Sequence, residues 1–190
     1  MRANVRLGRL EQDVLGCRDC SLHETRDQVV FSRGNPRAEL GIVGEAPGAE
    51  EDSTGLPFTG RSGKLLDSML IKAGVEPNQV YIFNSLKCRP PNNRVPTAAE
   101  LKACSGFFRA QIAFLSPLVL ISMGKTAARA LGVELPDFGW RGTQFSYGDI
   151  PVIVTFHPAY CLRNPTSTDY VVEDLVKAKD LVVLRRQLKG

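Results

Sequence analysis

Cys17 and Cys20 form a C-x2-C pair, and Cys88 and Cys104 follow far downstream with 15 residues between them. Four thiolates can hold one zinc ion or one iron–sulfur cluster. The spacing lacks the second C-x2-C of a zinc ribbon and leaves both open. Cys161 is left over. Carboxylates gather in the turn-rich stretch from Glu45 to Asp52, Glu51 among them. Asn84 closes an apolar run and offers one acceptor and one NH2 donor to a ligand edge. The sequence has two histidines, His23 and His157, so a histidine-dependent reaction has little choice. Pro158 pulls His157 out of the helical range into an extended turn, which suits a side chain aimed into a cleft. Taken singly, Glu45 reads as an acidic turn residue, Asn84 as a strand-end cap and His157-Pro158 as a structural turn. Ser122-Met123-Gly124-Lys125-Thr126 imitates a phosphate loop, but Val119 stands where that motif needs glycine, which excludes nucleotide binding there. Gly124 instead lets the chain turn into a helix.

The elements that must position these residues follow from periodicity. Leu40 to Gly44, Val80 to Asn84, Leu118 to Ser122 and Val152 to Phe156 read as buried strands, the last as half of a hairpin over 143–155. Leu65, Leu66, Met69 and Leu70 predict a helix over 62–73 that stops at Gly74. Thr97-Ala98-Ala99-Glu100 has the form of a capping box and opens a helix to about Leu115. A short helix runs from about Lys125 to Leu131, and Val171, Val172, Leu175, Val176 and Leu181 mark an amphipathic C-terminal helix. The first 38 residues read as polar. Strands alternating with helices predict an α/β fold, a three-layer α-β-α sandwich around a mostly parallel four-stranded sheet. In such sheets ligands bind at the carboxyl ends of the strands, where the segments 45–60, 84–94 and 157–165 gather.

Composition bounds the class. A chain of 190 residues, 43% hydrophobic, fits one core, so a single domain over 1–190 is expected. No apolar stretch reaches the roughly 18 residues of a membrane span, and the opening Met1-Arg2-Ala3-Asn4-Val5-Arg6 is not a signal segment. The expectation is an intracellular, cytoplasmic protein without a membrane partner. Five cysteines in such a chain favour metal over disulfides. A net charge of +4 suits a polyanion without requiring one.

The combination is more specific than its parts. Gly44-Glu45-Ala46-Pro47-Gly48-Ala49-Glu50-Glu51-Asp52 with Gly55-Leu56-Pro57-Phe58-Thr59-Gly60-Arg61-Ser62-Gly63-Lys64-Leu65-Leu66-Asp67 resembles the first motif of family 4 uracil-DNA glycosylases. Tyr81-Ile82-Phe83-Asn84 with Lys87-Cys88-Arg89-Pro90-Pro91-Asn92-Asn93-Arg94 resembles their second block, and Phe156-His157-Pro158-Ala159-Tyr160-Cys161-Leu162-Arg163-Asn164-Pro165 their last. The likeness runs from Cys17 to the C-terminal helix. It implies a DNA-repair hydrolase that flips uracil out of single- or double-stranded DNA and cleaves its N-glycosidic bond, acting as a monomer. It also implies that Cys17, Cys20, Cys88 and Cys104 hold a 4Fe-4S cluster, which spacing alone does not decide.

By the same resemblance Phe58 stacks on the flipped base, a contact worth about 1–3 kcal/mol but almost blind to base identity. Asn84 reads uracil, accepting N3–H and donating to O4, a pattern that cytosine reverses. Such mismatches are worth factors of about 10⁴–10⁵. Glu51 or the Ala46–Pro47 backbone would crowd thymine's methyl group. His157 would donate to O2 of the departing anion, and a carboxylate, from Glu45, Glu51 or Asp52 with the first two favoured, would stabilise the sugar cation and position water. Lys87, Arg89, Arg94 and Arg163 are candidate phosphate contacts. Relatives often carry leucine at the position of Cys161, and Leu162, with Tyr160 next, is assigned the wedge that fills the vacated stack. The stretch 87–96 has no histidine that could trap the abasic sugar, so turnover is expected. The rival readings are a catalytically silent nucleic-acid module and an enzyme for hypoxanthine or xanthine.

Overall fold

Strands apolar on both faces need cover on both. The computed structural model describes residues 2–189, and Met1 and Gly190, the ends of the expected domain, lie outside the described residues. Six strands, β1 (Arg33–Gly34), β2 (Leu40–Gly44), β3 (Val80–Asn84), β4 (Val119–Met123), β5 (Gln144–Tyr147) and β6 (Ile150–Thr155), form one sheet in the order β1-β3-β2-β4-β6-β5. The helices are α1 (Arg2–Leu15), α2 (Ala49–Thr54), α3 (Arg61–Lys72), α4 (Ala98–Leu115), α5 (Lys125–Ala130), α6 (Pro158–Arg163) and α7 (Ser167–Lys189). Among the described residues no helix is long and apolar enough to cross a membrane.

Side chains alternate along each strand between two cores. Ile42, Ile82, Ile121 and Ile153 pack with Leu66 and Met69 of α3 and Val171 and Leu175 of α7. Val43, Phe83, Leu120 and Val152 pack with Leu7, Leu10 and Val14 of α1 and Phe108 and Ile112 of α4. The sheet is six-stranded and mixed, not four-stranded as expected. β3, β2, β4 and β6 run parallel, whereas β1 on β3 and β5 on β6 are antiparallel edges. β1 has two residues, too few to carry a period. The hairpin expected over 143–155 is β5 and β6, turning at Gly148 (φ 58°).

Three further elements escaped the periodic reading: α1, α2 and α6. The Thr97 capping box forms as expected: Thr97 Oγ1 accepts from the Glu100 amide at 3.2 Å, and Glu100 accepts from the Thr97 amide at 2.8 Å. Register then sets the site. Gly44 pairs with Asn84, so β2 and β3 end level, and β6 ends at Thr155 two residues before His157.

Candidate active site

A cavity of about 450 Å³ opens at these strand ends. Glu45, Ala46, Pro47, Gly48 and Glu51 line it from the loop after β2, with Phe58 and Ser62 beyond. Asn84, Pro90, Asn93 and Arg94 come from the segment after β3, and His157, Ala159, Tyr160 and Arg163 from that after β6. The sequence reading did not single out Ser62, Pro90 or Asn93. Asn92 and Asn93 take left-handed backbone (φ 56° and 55°), which asparagine tolerates, so the Pro-Pro-Asn-Asn turn was the available signal.

Asn84 is 2% exposed and lines the cavity, yet no hydrogen bond joins its side-chain amide to the described residues. Its polar atoms open onto the cavity instead, so a donor and an acceptor are both left for whatever enters. Gly44 makes the room: a Cβ there would fall 2.2 Å from Asn84 Oδ1 and 2.7 Å from Phe58 Cζ. Phe58 itself is 5% exposed and sits at φ 56°, an unfavourable backbone for an aromatic residue. Its backbone lies so close to α3 that a Cβ at Gly63 would meet Phe58 O at 1.8 Å. The Phe58 ring stacks beside His157 with centroids 5.6 Å apart.

His157 has its tautomer set by the turn that carries it. Nδ1 accepts from the Ala159 amide at 3.1 Å, so in the neutral ring the proton resides on Nε2, the remaining polar atom. Desolvation lowers the His157 pKa to about 4, Glu51 opposing and Arg163 assisting. The ring is therefore a neutral Nε2–H donor at physiological pH.

The two carboxylates expected to share catalysis differ in availability. Glu45 lines the cavity, its side chain makes no hydrogen bond with the described residues, and its carbonyl accepts from the Leu86 amide at 3.1 Å and Ser85 Oγ at 2.6 Å. Glu51 is 8% exposed. Its Oε1 accepts from the Thr59 and Gly60 amides at 3.0 and 2.9 Å and its Oε2 from the Gly48 amide at 3.1 Å. Both oxygens are thus committed to tying the Gly48 turn to the loop that presents Phe58.

Several expectations need correction. Asp52 is absent from the cavity wall. It is 1% exposed and accepts from the Asp27 amide at 3.1 Å, so it anchors the 27–28 segment instead of binding substrate. Lys87 cannot contact phosphate: it is 1% exposed, its ammonium donating to Asn84 O at 2.6 Å and to Gln111 Oε1. Desolvation lowers its pKa to about 8, opposed by Cys104 and Cys88, which leaves it cationic at neutral pH. Arg89 is held by Asn93 Oδ1 at 2.8 Å, and Arg94 makes a two-pronged pair with Glu100 at 2.6 and 2.9 Å. Both keep part of their surface for an anion. Arg163 reaches the cavity wall. Leu162 and Tyr160 are each 40% exposed, and Cys161 is 1% exposed inside the core, which removes Cys161 as a wedge.

Cys17, Cys20, Cys88 and Cys104 line one small pocket with Arg26 and Lys87. Among the described residues no three His, Cys, Asp or Glu side chains are grouped to hold a single metal ion. Arg26 braces the pocket, donating to Cys88 Sγ at 3.1 Å and to the Cys17 carbonyl at 3.0 Å. Burial pushes the Cys104 thiol up to about 11 and raises those of Cys17 and Cys88. Thiolates here therefore call for a compensating cation.

Residues 31–179 match the family described as the Uracil DNA glycosylase superfamily. The chain is 42% identical over 178 residues to a "Type-4 uracil-DNA glycosylase" of Thermotoga maritima, covering 91% of this chain and 93% of the relative. Proteins of the same description match from Archaeoglobus fulgidus, at 37% identity over 90% of each chain, and from Sulfurisphaera tokodaii, at 34% over 93% of this chain and 85% of the relative.

Proposed function

The chain belongs to the uracil-DNA glycosylase superfamily, and on that premise we propose how its residues remove uracil. It is a DNA-repair hydrolase acting on the N-glycosyl bond of uracil in DNA, releasing the free base and leaving an abasic site. The observation that carries the mechanism is the Asn84 amide, unspent among the described residues, in a cavity that a histidine fixed as a donor also lines.

Uracil inside a duplex does not present its glycosidic bond, so the nucleotide leaves the stack at a cost of a few kcal/mol. Phe58 recovers part of that by stacking. Asn84 accepts N3–H and donates to O4, and cytosine would leave both groups mismatched. As the N1–C1′ bond breaks, its electron pair departs with the base and negative charge spreads to O2, where His157 Nε2–H donates. The Glu45 carboxylate, without a partner among the described residues, faces the cationic sugar and orients the water whose oxygen adds to C1′. Glu51 serves this chemistry indirectly by fixing the Phe58 loop. Arg89, Arg94 and Arg163 contact phosphates, and Leu162 fills the vacated stack. Both single- and double-stranded DNA are substrates, and the protein works as a one-domain monomer inside the cell, with the DNA.

Cys17, Cys20, Cys88 and Cys104 would hold a 4Fe-4S cluster. The four cysteines line one pocket, and four thiolates are a donor set that such a cluster takes. The cluster would contribute structurally, clamping the 17–26 segment to Cys88 in the chain after β3 and to Cys104 on α4. The test of function is release of free uracil from a uracil-containing oligonucleotide, with alkali cleavage marking the abasic site. No release from any uracil-containing strand would overturn it.

A further inference from the structure

Lys87 is a lysine in the wrong place for a surface cation. It is 1% exposed, and among the described residues no carboxylate pairs with it. Its ammonium donates to Asn84 O at 2.6 Å and to Gln111 Oε1, while the rings of Phe83, Phe31 and Phe108 stand 5.2, 5.8 and 6.0 Å from Nζ. Gln111, 0% exposed, is itself fixed by donating to Phe31 O at 3.2 Å and Tyr81 Oη at 3.0 Å. A buried charge persists only when its surroundings replace water. Here two carbonyl-type oxygens and three π faces do so. Lys87 also lines the pocket of the four cysteines, whose thiolates would supply the opposite charge when bound to a cluster.

The connectivity gives this arrangement a use. Asn84 ends β3, and only Ser85 and Leu86 separate it from Lys87, whose side chain folds back to hold the Asn84 carbonyl. Ser85 and Leu86 are meanwhile bonded to Gly44 O and Glu45 O, and the Lys87 carbonyl accepts from the Val30 amide at 2.8 Å. The side-chain amide of Asn84 has no such support, so its aim depends on how rigidly its own backbone is held.

We infer that Lys87 is the positioning residue for the base reader: its ammonium locks the Asn84 backbone so that the side-chain amide meets uracil without rearranging. This rests on Asn84 reading uracil. Lys87 touches neither base nor sugar, so losing it should loosen recognition and leave DNA docking alone. Reader misplacement by about 1 Å corresponds to roughly 10²-fold in the chemical step.

The test uses iron-loaded Lys87→Met and Gln111→Met proteins, with iron content and thermal melting measured beside the wild type. Three quantities are read: single-turnover uracil release, inhibition by free uracil, and affinity for DNA carrying an abasic site. Lys87→Met should release uracil about 10²-fold more slowly and bind free uracil about tenfold more weakly, with abasic-site affinity within twofold of wild type. Gln111→Met should shift the same two quantities several-fold and decides the matter if Lys87→Met does not fold. A folded variant that melts lower but keeps wild-type release and uracil inhibition would overturn the inference and reduce Lys87 to core packing. If the wild-type protein itself releases no uracil, the functional reading fails instead.

Discussion

Replacing Gly44 by alanine probes the pocket without removing any group that touches DNA. The new methyl would lie 2.2 Å from Asn84 Oδ1 and 2.7 and 2.8 Å from two carbons of the Phe58 ring, where ordinary contact begins at 3.4 Å. Both the reader and the stacking ring must then recede by about 1 Å, since close-packed atoms do not interpenetrate. A displacement of that size corresponds to about 10²-fold in rate. Overpacking a buried strand end costs about 1–3 kcal/mol, which in a chain this long lowers Tm by roughly 2–12 °C. At 25 °C the variant stays folded, so single-turnover release with saturating enzyme reads geometry, and a melt read in parallel reads stability. Binding to undamaged DNA should be unchanged. Gly44→Ala release within threefold of wild type would refute the reasoning, because Asn84 and Phe58 could not then form the wall that meets the base.

His157→Ala should slow the chemical step about 10²–10³-fold, as for loss of one oxyanion donor, while leaving DNA affinity intact; a loss confined to affinity would make His157 a docking residue. Because the folded His157 pKa is lowered to about 4, its neutral form persists above that pH, and the rate should show no histidine step near 6.5; a half-point there would contradict the desolvated neutral donor. The unfolded chain takes up the same proton near the ordinary 6.5, so His157's contribution to stability is present above that value and declines as pH falls towards about 4, which a series of melts would show. Leu162→Ala should impair excision from duplex DNA much more than from single strands, with Cys161→Ala equal to wild type on DNA of both kinds; the reverse pattern would put the loop in another register. Cys88→Ala should lose its iron and melt well below wild type, and full stability in an iron-free protein would disprove a structural cluster.

The buried strands were legible because each is a short apolar run bounded by turns, and the capping box at Thr97 marked α4 within a residue. The edges were not: β1 is two residues long, and α1 hides Leu7, Leu10 and Val14 among charged neighbours in what read as a polar leader. At the site, residue type revealed which side chains could do chemistry, but partners decided which were free to. Glu45 and Glu51 are chemically alike, and only three backbone amides distinguish the free carboxylate from the committed one. Lys87 looked like a phosphate contact because lysines are seldom buried. Its interior role depends on Gln111 and Phe108, a helix away in sequence. Asp52 was lost in the same manner, to amides of the 27–28 segment.

The central claim is that the side-chain amide of Asn84, which no described residue engages, selects uracil. Wild-type and Asn84→Asp proteins, both folded and iron-loaded, should be compared for release of free uracil from the same single-stranded oligonucleotide under single-turnover conditions. Aspartate cannot donate to O4 and sets a charge against it, so release should fall by about 10²-fold or more. Equal rates in the two proteins would mean that another residue reads the base and would contradict the account.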